Sequence, residues 1–201
     1  MKQVEFYYDL VSPYSYLAYG KLYEICEQQD AEVVLRPMLL GAVHNTVGIQ
    51  APVQTPSKGR YSGKDVYRWA DYYGLSMKFP KPFPFRSLKT MRAAMFLQTR
   101  GELEAFTREG FSYFWEENGA AKGDQEEDEN DPISEVVRRI GLDPDEVLEA
   151  ARGSEAKAAL KEATDSAVER GVFGAPTFFV GDEMFWGNDR LHFVEAALEM
   201  S

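Results

Sequence analysis

The sequence predicts an α/β fold assembled from two separated halves. Three observations carry the prediction: the chain opens as strand–helix–strand, closes as strand–strand–helix, and holds a helix-patterned block between them. The first strand is Val4-Glu5-Phe6-Tyr7-Tyr8, a β-branched and aromatic run. Tyr16 to Gln29 follows as a helix, with Leu17, Leu22, Ile25 and Cys26 roughly on one face. Glu32 to Pro37 is the second strand and stops at its proline.

The middle is read in the same way. Leu39 to Tyr61, with Pro52 and Pro56 inside it, reads as a loop with short helical turns, and a connection that long points to a functional loop. Gly63 to Tyr73 is a helix stopped by Gly74. In Phe79-Pro80-Lys81-Pro82-Phe83-Pro84-Phe85 three alternating prolines forbid a helix. Ser87 to Thr99 resumes helix, with Leu88, Met91, Met95 and Phe96 on one stripe, and Glu102 to Asn118 is an aromatic-rich helix. The acidic tract Asp124 to Asp131 reads as a solvated loop. Asp131-Pro132 and Asp143-Pro144 each read as a cap followed by proline at the first helical position. Helices then run to about Ile140, Ala151 and Arg170.

Thr177 to Val180, the turn Gly181-Asp182 and Met184 to Trp186 form a hairpin, and Gly187-Asn188-Asp189 leads into a last helix, Arg190 to Met200. The whole reads as a thioredoxin-like fold with a helical insertion between the βαβ and ββα halves. Residues 1–40 and 166–201 make the thioredoxin-like domain, and 41–165 the inserted helical region. Ser12-Pro13-Tyr14-Ser15 then stands at the strand-to-helix turn where such a fold carries Cys-x-x-Cys, and Ala175-Pro176-Thr177 opens the late strand. Two serines cannot exchange disulfides. A helix start can still hold a thiol as its thiolate, for the reason that cysteines at helix N-termini have a depressed pKa.

Composition narrows the partners. The 201 residues suit one domain, or one domain with an insertion, and 44% hydrophobic content supplies a core. A net charge of −11 argues against nucleic acid or an anionic membrane as the main partner. The one cysteine, Cys26, excludes a disulfide framework and a Cys-rich metal site and suits a reducing compartment. There is no apolar stretch of about 18 residues. Met1 to Asp9 reads as a core strand, not a signal segment, so a cytoplasmic protein is expected.

Each candidate site residue has a plain alternative. Ser12 is either an N-cap or a hydroxyl donor to a sulfur at the helix start. Pro176 is either an ordinary edge proline or a cis proline that leaves the Ala175 N–H and C=O facing outward to pair with a peptide-like ligand. Asn188 and Asp189 suit a cap, or a grip on an α-amino-acid head group. Lys58 and Arg60, in the long loop with His44 and Asn45, are either solvated or aimed at a ligand carboxylate. With two histidines, His44 and His192, and no ligand spacing, a metal is not expected. Tyr14, Trp69, Phe83, Phe85 and Trp186 are either core or the lining of an apolar acceptor pocket, the proline-stiffened Phe79–Phe85 segment being the best placed.

Phe6-Tyr7-Tyr8-Asp9-Leu10-Val11-Ser12-Pro13-Tyr14-Ser15-Tyr16-Leu17-Ala18 resembles the opening of the 2-hydroxychromene-2-carboxylate isomerases, which group with the kappa-class glutathione transferases on a fold related to a periplasmic disulfide oxidase. Gly171-Val172-Phe173-Gly174-Ala175-Pro176-Thr177 and Phe185-Trp186-Gly187-Asn188-Asp189-Arg190-Leu191 resemble its closing signature. The resemblance implies glutathione as cofactor, a small aromatic or electrophilic substrate and a homodimer. It implies that Ser12 faces the glutathione sulfur and stabilises its thiolate. Ala175, before cis-Pro176, would pair with the cysteinyl part, Asp189 with Asn188 beside it would hold the γ-glutamyl head, and Lys58 would reach a carboxylate. A loop position that is asparagine in some kappa-type members is Ile49 here. The implied reaction is thiolate addition, bond rotation and thiol expulsion, with conjugation of electrophiles, or a binding module without chemistry, as alternatives.

Overall fold

A computed structural model describes residues 2–119 and 131–201. The first half is β1 (Lys2–Tyr8), α1 (Pro13–Gln28) and β2 (Ala31–Pro37). The last is β3 (Thr177–Val180), β4 (Glu183–Trp186) and α9 (Leu191–Met200). Between them run α2 (Leu40–Val47), α3 (Pro56–Tyr73), α4 (Leu88–Gln98), α5 (Leu103–Trp115), α6 (Pro132–Arg139), α7 (Pro144–Arg152) and α8 (Ser154–Glu169). The sheet order is β2-β1-β3-β4, with β1 and β2 parallel and the other neighbours antiparallel. The strand–helix–strand and strand–strand–helix halves therefore meet along β1 and β3, where Phe6 opposes Phe178.

Both sheet faces are covered at the end of β1, where Phe6, Tyr7 and Tyr8 are all buried. Val4, Phe6 and Tyr8 point into the main core with residues of α1, α5 and α9, and Phe6 stacks on Tyr8 and Phe178 with ring centroids 5.1 and 5.5 Å apart. Tyr7 points the other way, into a smaller cluster with Met38, Val43, Ala167, Val172 and Phe179. Tyr8 places its hydroxyl 2.6 Å from Thr107 Oγ1 of α5, so the phenol enters the core with its polar atom satisfied.

The middle differs from its sequence reading in one functional respect. Leu39–Tyr61 is not a long loop: α2 occupies 40–47, a 3₁₀ turn spans Pro52–Gln54, and α3 begins at Pro56. The two prolines that suggested a loop sit at first helical positions, where a missing N–H costs nothing. Helix α1 likewise starts at Pro13, three residues before the expected Tyr16. The segment 79–85 is non-helical, with cis bonds at Lys81–Pro82 and Phe83–Pro84. Asp131 and Asp143 are caps, accepting from Ile133 N–H and Asp145 N–H. Asp131 is also buried and paired with Lys89 at 2.5 Å, so this end of the acidic tract is no solvated loop; 124–130 lie outside the described residues.

Candidate active site

β1 delivers the chain to a tight turn, Asp9-Leu10-Val11, and Ser12 opens α1 in extended backbone conformation. Its Oγ accepts the Ser15 N–H at 3.2 Å and donates to the Ala175 carbonyl at 3.1 Å. The first bond is the N-cap; the second joins two motifs 163 residues apart. Ala175–Pro176 is cis. The expectation that both Ala175 backbone groups face outward needs correction, because Ser12 holds the carbonyl. The Ala175 N–H has no partner among the described residues, and neither has the Tyr14 N–H, second in α1. Ser12, 3% exposed, and the unpartnered Tyr14 N–H thus lie at the positive end of α1, with the Ala175 carbonyl bonded to the Ser12 hydroxyl. That arrangement suits a peptide-like ligand carrying negative charge on a soft atom.

Sequence reading singled out no role for Asp9, yet it is fully buried in this turn. Its Oδ1 accepts Val11 N–H at 3.1 Å; its Oδ2 accepts Leu40 N–H at 2.9 Å and Ser87 O–H at 3.0 Å. Burial pushes its pKa up to about 6, against the three donors, which pull it down. A single carboxylate closing an apolar strand was the available signal.

Helix α3 forms one wall. The Tyr14 hydroxyl donates to Asp65 Oδ2 at 3.1 Å, and burial, reinforced by Asp65, pushes the phenol up to about 12. Lys58 is exposed on the first turn of α3, not in a loop, and lines a shallow depression with Pro52, Ser57, Tyr61 and Ser62. At the other end of α3 the Tyr73 hydroxyl donates to the Asn188 carbonyl at 3.0 Å. Asn188 is 3% exposed, and its amide Nδ2 has no hydrogen-bond partner among the described residues. Asp189 forms an ion pair with Arg190 at the surface and caps nothing, since α9 starts without a side-chain cap. Gly187, at φ 102°, gives Asp189 room: a Cβ there would lie 2.5 Å from its Oδ1.

The aromatic candidates separate. Trp186 is half exposed beside the cis-proline turn, packed on Phe173, and a Cβ at Gly174 would strike its Nε1. Phe83 and Phe85 are partly buried and lie against Trp115, at 5.9 and 6.2 Å between ring centroids. Trp115 is buried and donates from Nε1 to the Leu10 carbonyl at 2.8 Å. Phe83 and Phe85 thus pack on the indole that is bonded to the Leu10 carbonyl, while remaining partly exposed. Among the described residues no cluster of three or more His, Cys, Asp or Glu could hold a metal ion, and no helix is long and apolar enough to cross a membrane.

Comparison with known proteins bears on the fold and the family. The family model described as DSBA-like thioredoxin domain matches residues 3–199. A 2-hydroxychromene-2-carboxylate isomerase of Sphingobium xenophagum is 31% identical over 98% of this chain and 98% of its own length. The glutathione S-transferase kappa 1 of Homo sapiens is 28% identical over 94% of this chain and 88% of its own. Among solved structures, a 2-hydroxychromene-2-carboxylate isomerase superposes with a TM-score of 0.82 at 28% identity, covering 98% of this chain and 95% of that one.

Proposed function

The chain belongs to the DSBA-like thioredoxin domain family, among relatives that are isomerases and kappa-class transferases, and on that premise we propose that it is a glutathione-dependent isomerase of a 2-hydroxychromene-2-carboxylate-like aromatic intermediate. The single observation that carries the reading is the 3.1 Å bond between Ser12 Oγ and the carbonyl preceding cis-Pro176. It joins the two motifs, which supports a hydroxyl, rather than a thiol, as the partner of a ligand sulfur.

The residues present fit glutathione. The free Ala175 N–H suits pairing with the cysteinyl backbone, and the unpartnered Asn188 Nδ2 is a buried donor awaiting an acceptor. Asp189 supplies a carboxylate for an α-amino group, Lys58 an ammonium for a carboxylate. Bound here, glutathione would supply the nucleophilic thiolate that an addition–rotation–expulsion isomerisation needs. Ser12 has one proton to give. It must release the Ala175 carbonyl to donate to sulfur, and keeps the Ser15 N–H as it turns. Tyr14 and Trp186 flank this point, while Phe83 and Phe85 pack on Trp115.

A second reading is a kappa-type transferase that conjugates electrophiles, favoured by the four kappa-class relatives at 26–28% identity. Calorimetric titration with glutathione, then isomerisation and conjugation assays side by side, tests both. Binding with isomerisation of the chromene carboxylate supports the first; binding with conjugation alone supports the second; no binding removes both.

A further inference from the structure

Three helices begin at one buried carboxylate. Asp9 Oδ1 holds the Val11 N–H of the turn that leads into α1, while Oδ2 holds the Leu40 N–H, first in α2, and the hydroxyl of Ser87, which precedes α4. The Asp9 carbonyl in turn accepts the Ser12 N–H at 2.9 Å. Neither α2 nor α4 has a side-chain cap of its own: Leu39 cannot supply one, and the Ser87 hydroxyl is turned to Asp9 instead. No lysine, arginine or histidine pairs with Asp9 among the described residues, so its partners are these donors alone. A purely structural residue at a core turn is more simply apolar; here a charge is buried at the one place where the βαβ half meets the starts of two helices of the middle block.

We propose that Asp9 is a positioning residue for the thiol site: it clamps the Ser12 turn to the starts of α2 and α4, and so fixes the direction of the Ser12 hydroxyl. This rests on the glutathione reading for the identity of the thiol. It does not make Asp9 a base: the carboxylate is fully buried, and three of its four acceptor directions are taken by Val11, Leu40 and Ser87.

The test compares the affinity of glutathione with that of its sulfur-free analogue, γ-glutamyl-2-aminobutyryl-glycine, for wild type and Asp9→Asn, by calorimetry well below the melting temperature. Asparagine fills the same space, but with its oxygen toward Val11 its nitrogen, a donor only, can accept from neither Leu40 nor Ser87. The preference for glutathione over the analogue should fall by about fivefold, the worth of one hydrogen bond. A lower melting temperature with an unchanged preference would make Asp9 merely structural and overturn the proposal. A raised preference would overturn it too, since removing a nearby negative charge favours a thiolate. Amide exchange in the ligand-free proteins is the second readout: Val11, Ser12 and Leu40 should exchange at least about tenfold faster in the variant while α5 does not, and equal rates would overturn the clamp. If wild type shows no preference for glutathione, the thiol reading fails, and exchange still decides whether the clamp exists. Should Asp9→Asn not fold, Ser87→Ala removes one donor only and should lower the preference in the same direction, by about two- to threefold; no change there would refute the proposal.

Discussion

The two ends of the candidate site are built on opposite principles. At the Ser12 end the side chains that hold the turn are engaged: Ser12 is bonded to Ser15 N–H and Ala175, Asp9 to three donors, and Trp115 pins Leu10, while among the described residues the buried Ser15 hydroxyl has no partner. At the Asn188 end, among the described residues, a buried amide nitrogen has no partner, and Asp189 and Arg190 pair only with each other near the surface. At the first end the turn is held by bonds within the chain, so under the proposed reading only the Ser12 hydroxyl has to turn when a sulfur arrives. The second is left incomplete, with donors that a ligand head group would complete. The same site thus separates orientation of the reacting atom from capture of the molecule that carries it.

The largest way to break the contrast is Trp115→Ala. It removes a buried indole from beneath the Ser12 turn and should cost roughly 3–5 kcal/mol of stability by urea denaturation. A loss below about 1 kcal/mol would show that the Ser12 turn does not depend on the core behind it. Next is pH. Asp9 has its folded pKa raised by burial from 3.8 to about 6. The folded chain therefore binds a proton that the unfolded chain has released, and the Asp9 contribution to stability falls as pH rises from about 4 to 6. Two units correspond to about 3 kcal/mol. Subtracting the Asp9→Asn stability from that of wild type at pH 4 and pH 7 isolates the effect; a flat difference would contradict it.

Ser12→Ala should lower glutathione-dependent turnover about ten- to a hundredfold, the loss of one hydrogen bond to a charged sulfur, with about 1 kcal/mol of stability lost from the cap. Unchanged turnover would reduce Ser12 to a cap. The smallest stability effects belong to the open end. Asp189→Asn and Asp189→Ala should both leave stability within about 0.5 kcal/mol, since the carboxylate caps no helix and its ion pair is exposed. Both should weaken glutathione binding, by about tenfold for one charged contact. If binding is unchanged in both, the head group is held elsewhere.

These contrasts also show what was readable in the chain. The Ser12 turn and the Ala175-Pro176 turn were legible because their chemistry is local: a cap followed by proline, and a proline opening a strand. Asp9 was not, since its partners at Leu40 and Ser87 are 31 and 78 residues away and only the fold brings them together. Pro52 and Pro56 misled in the other direction: a proline breaks a helix interior but starts a helix equally well, and without the fold the two cannot be told apart. Asn188 and Asp189 read as caps from their residue types, but a 3₁₀ turn at Asn188–Arg190 carries the chain into α9 instead. Phe83 and Phe85 read equally as core or pocket lining from their residue types; only the fold shows that both rest on Trp115 while staying partly exposed.

The central claim is that the start of α1 and the cis-proline turn together hold glutathione as its thiolate. Ultraviolet absorbance of the thiolate, followed across pH with glutathione bound to saturation, tests it most directly. The bound thiol should ionise at least about one unit below the value near 8.5 of a free thiol, and Ser12→Ala should move it back toward that value. A bound thiol that titrates like the free one, or one that Ser12→Ala leaves unmoved, would contradict the account.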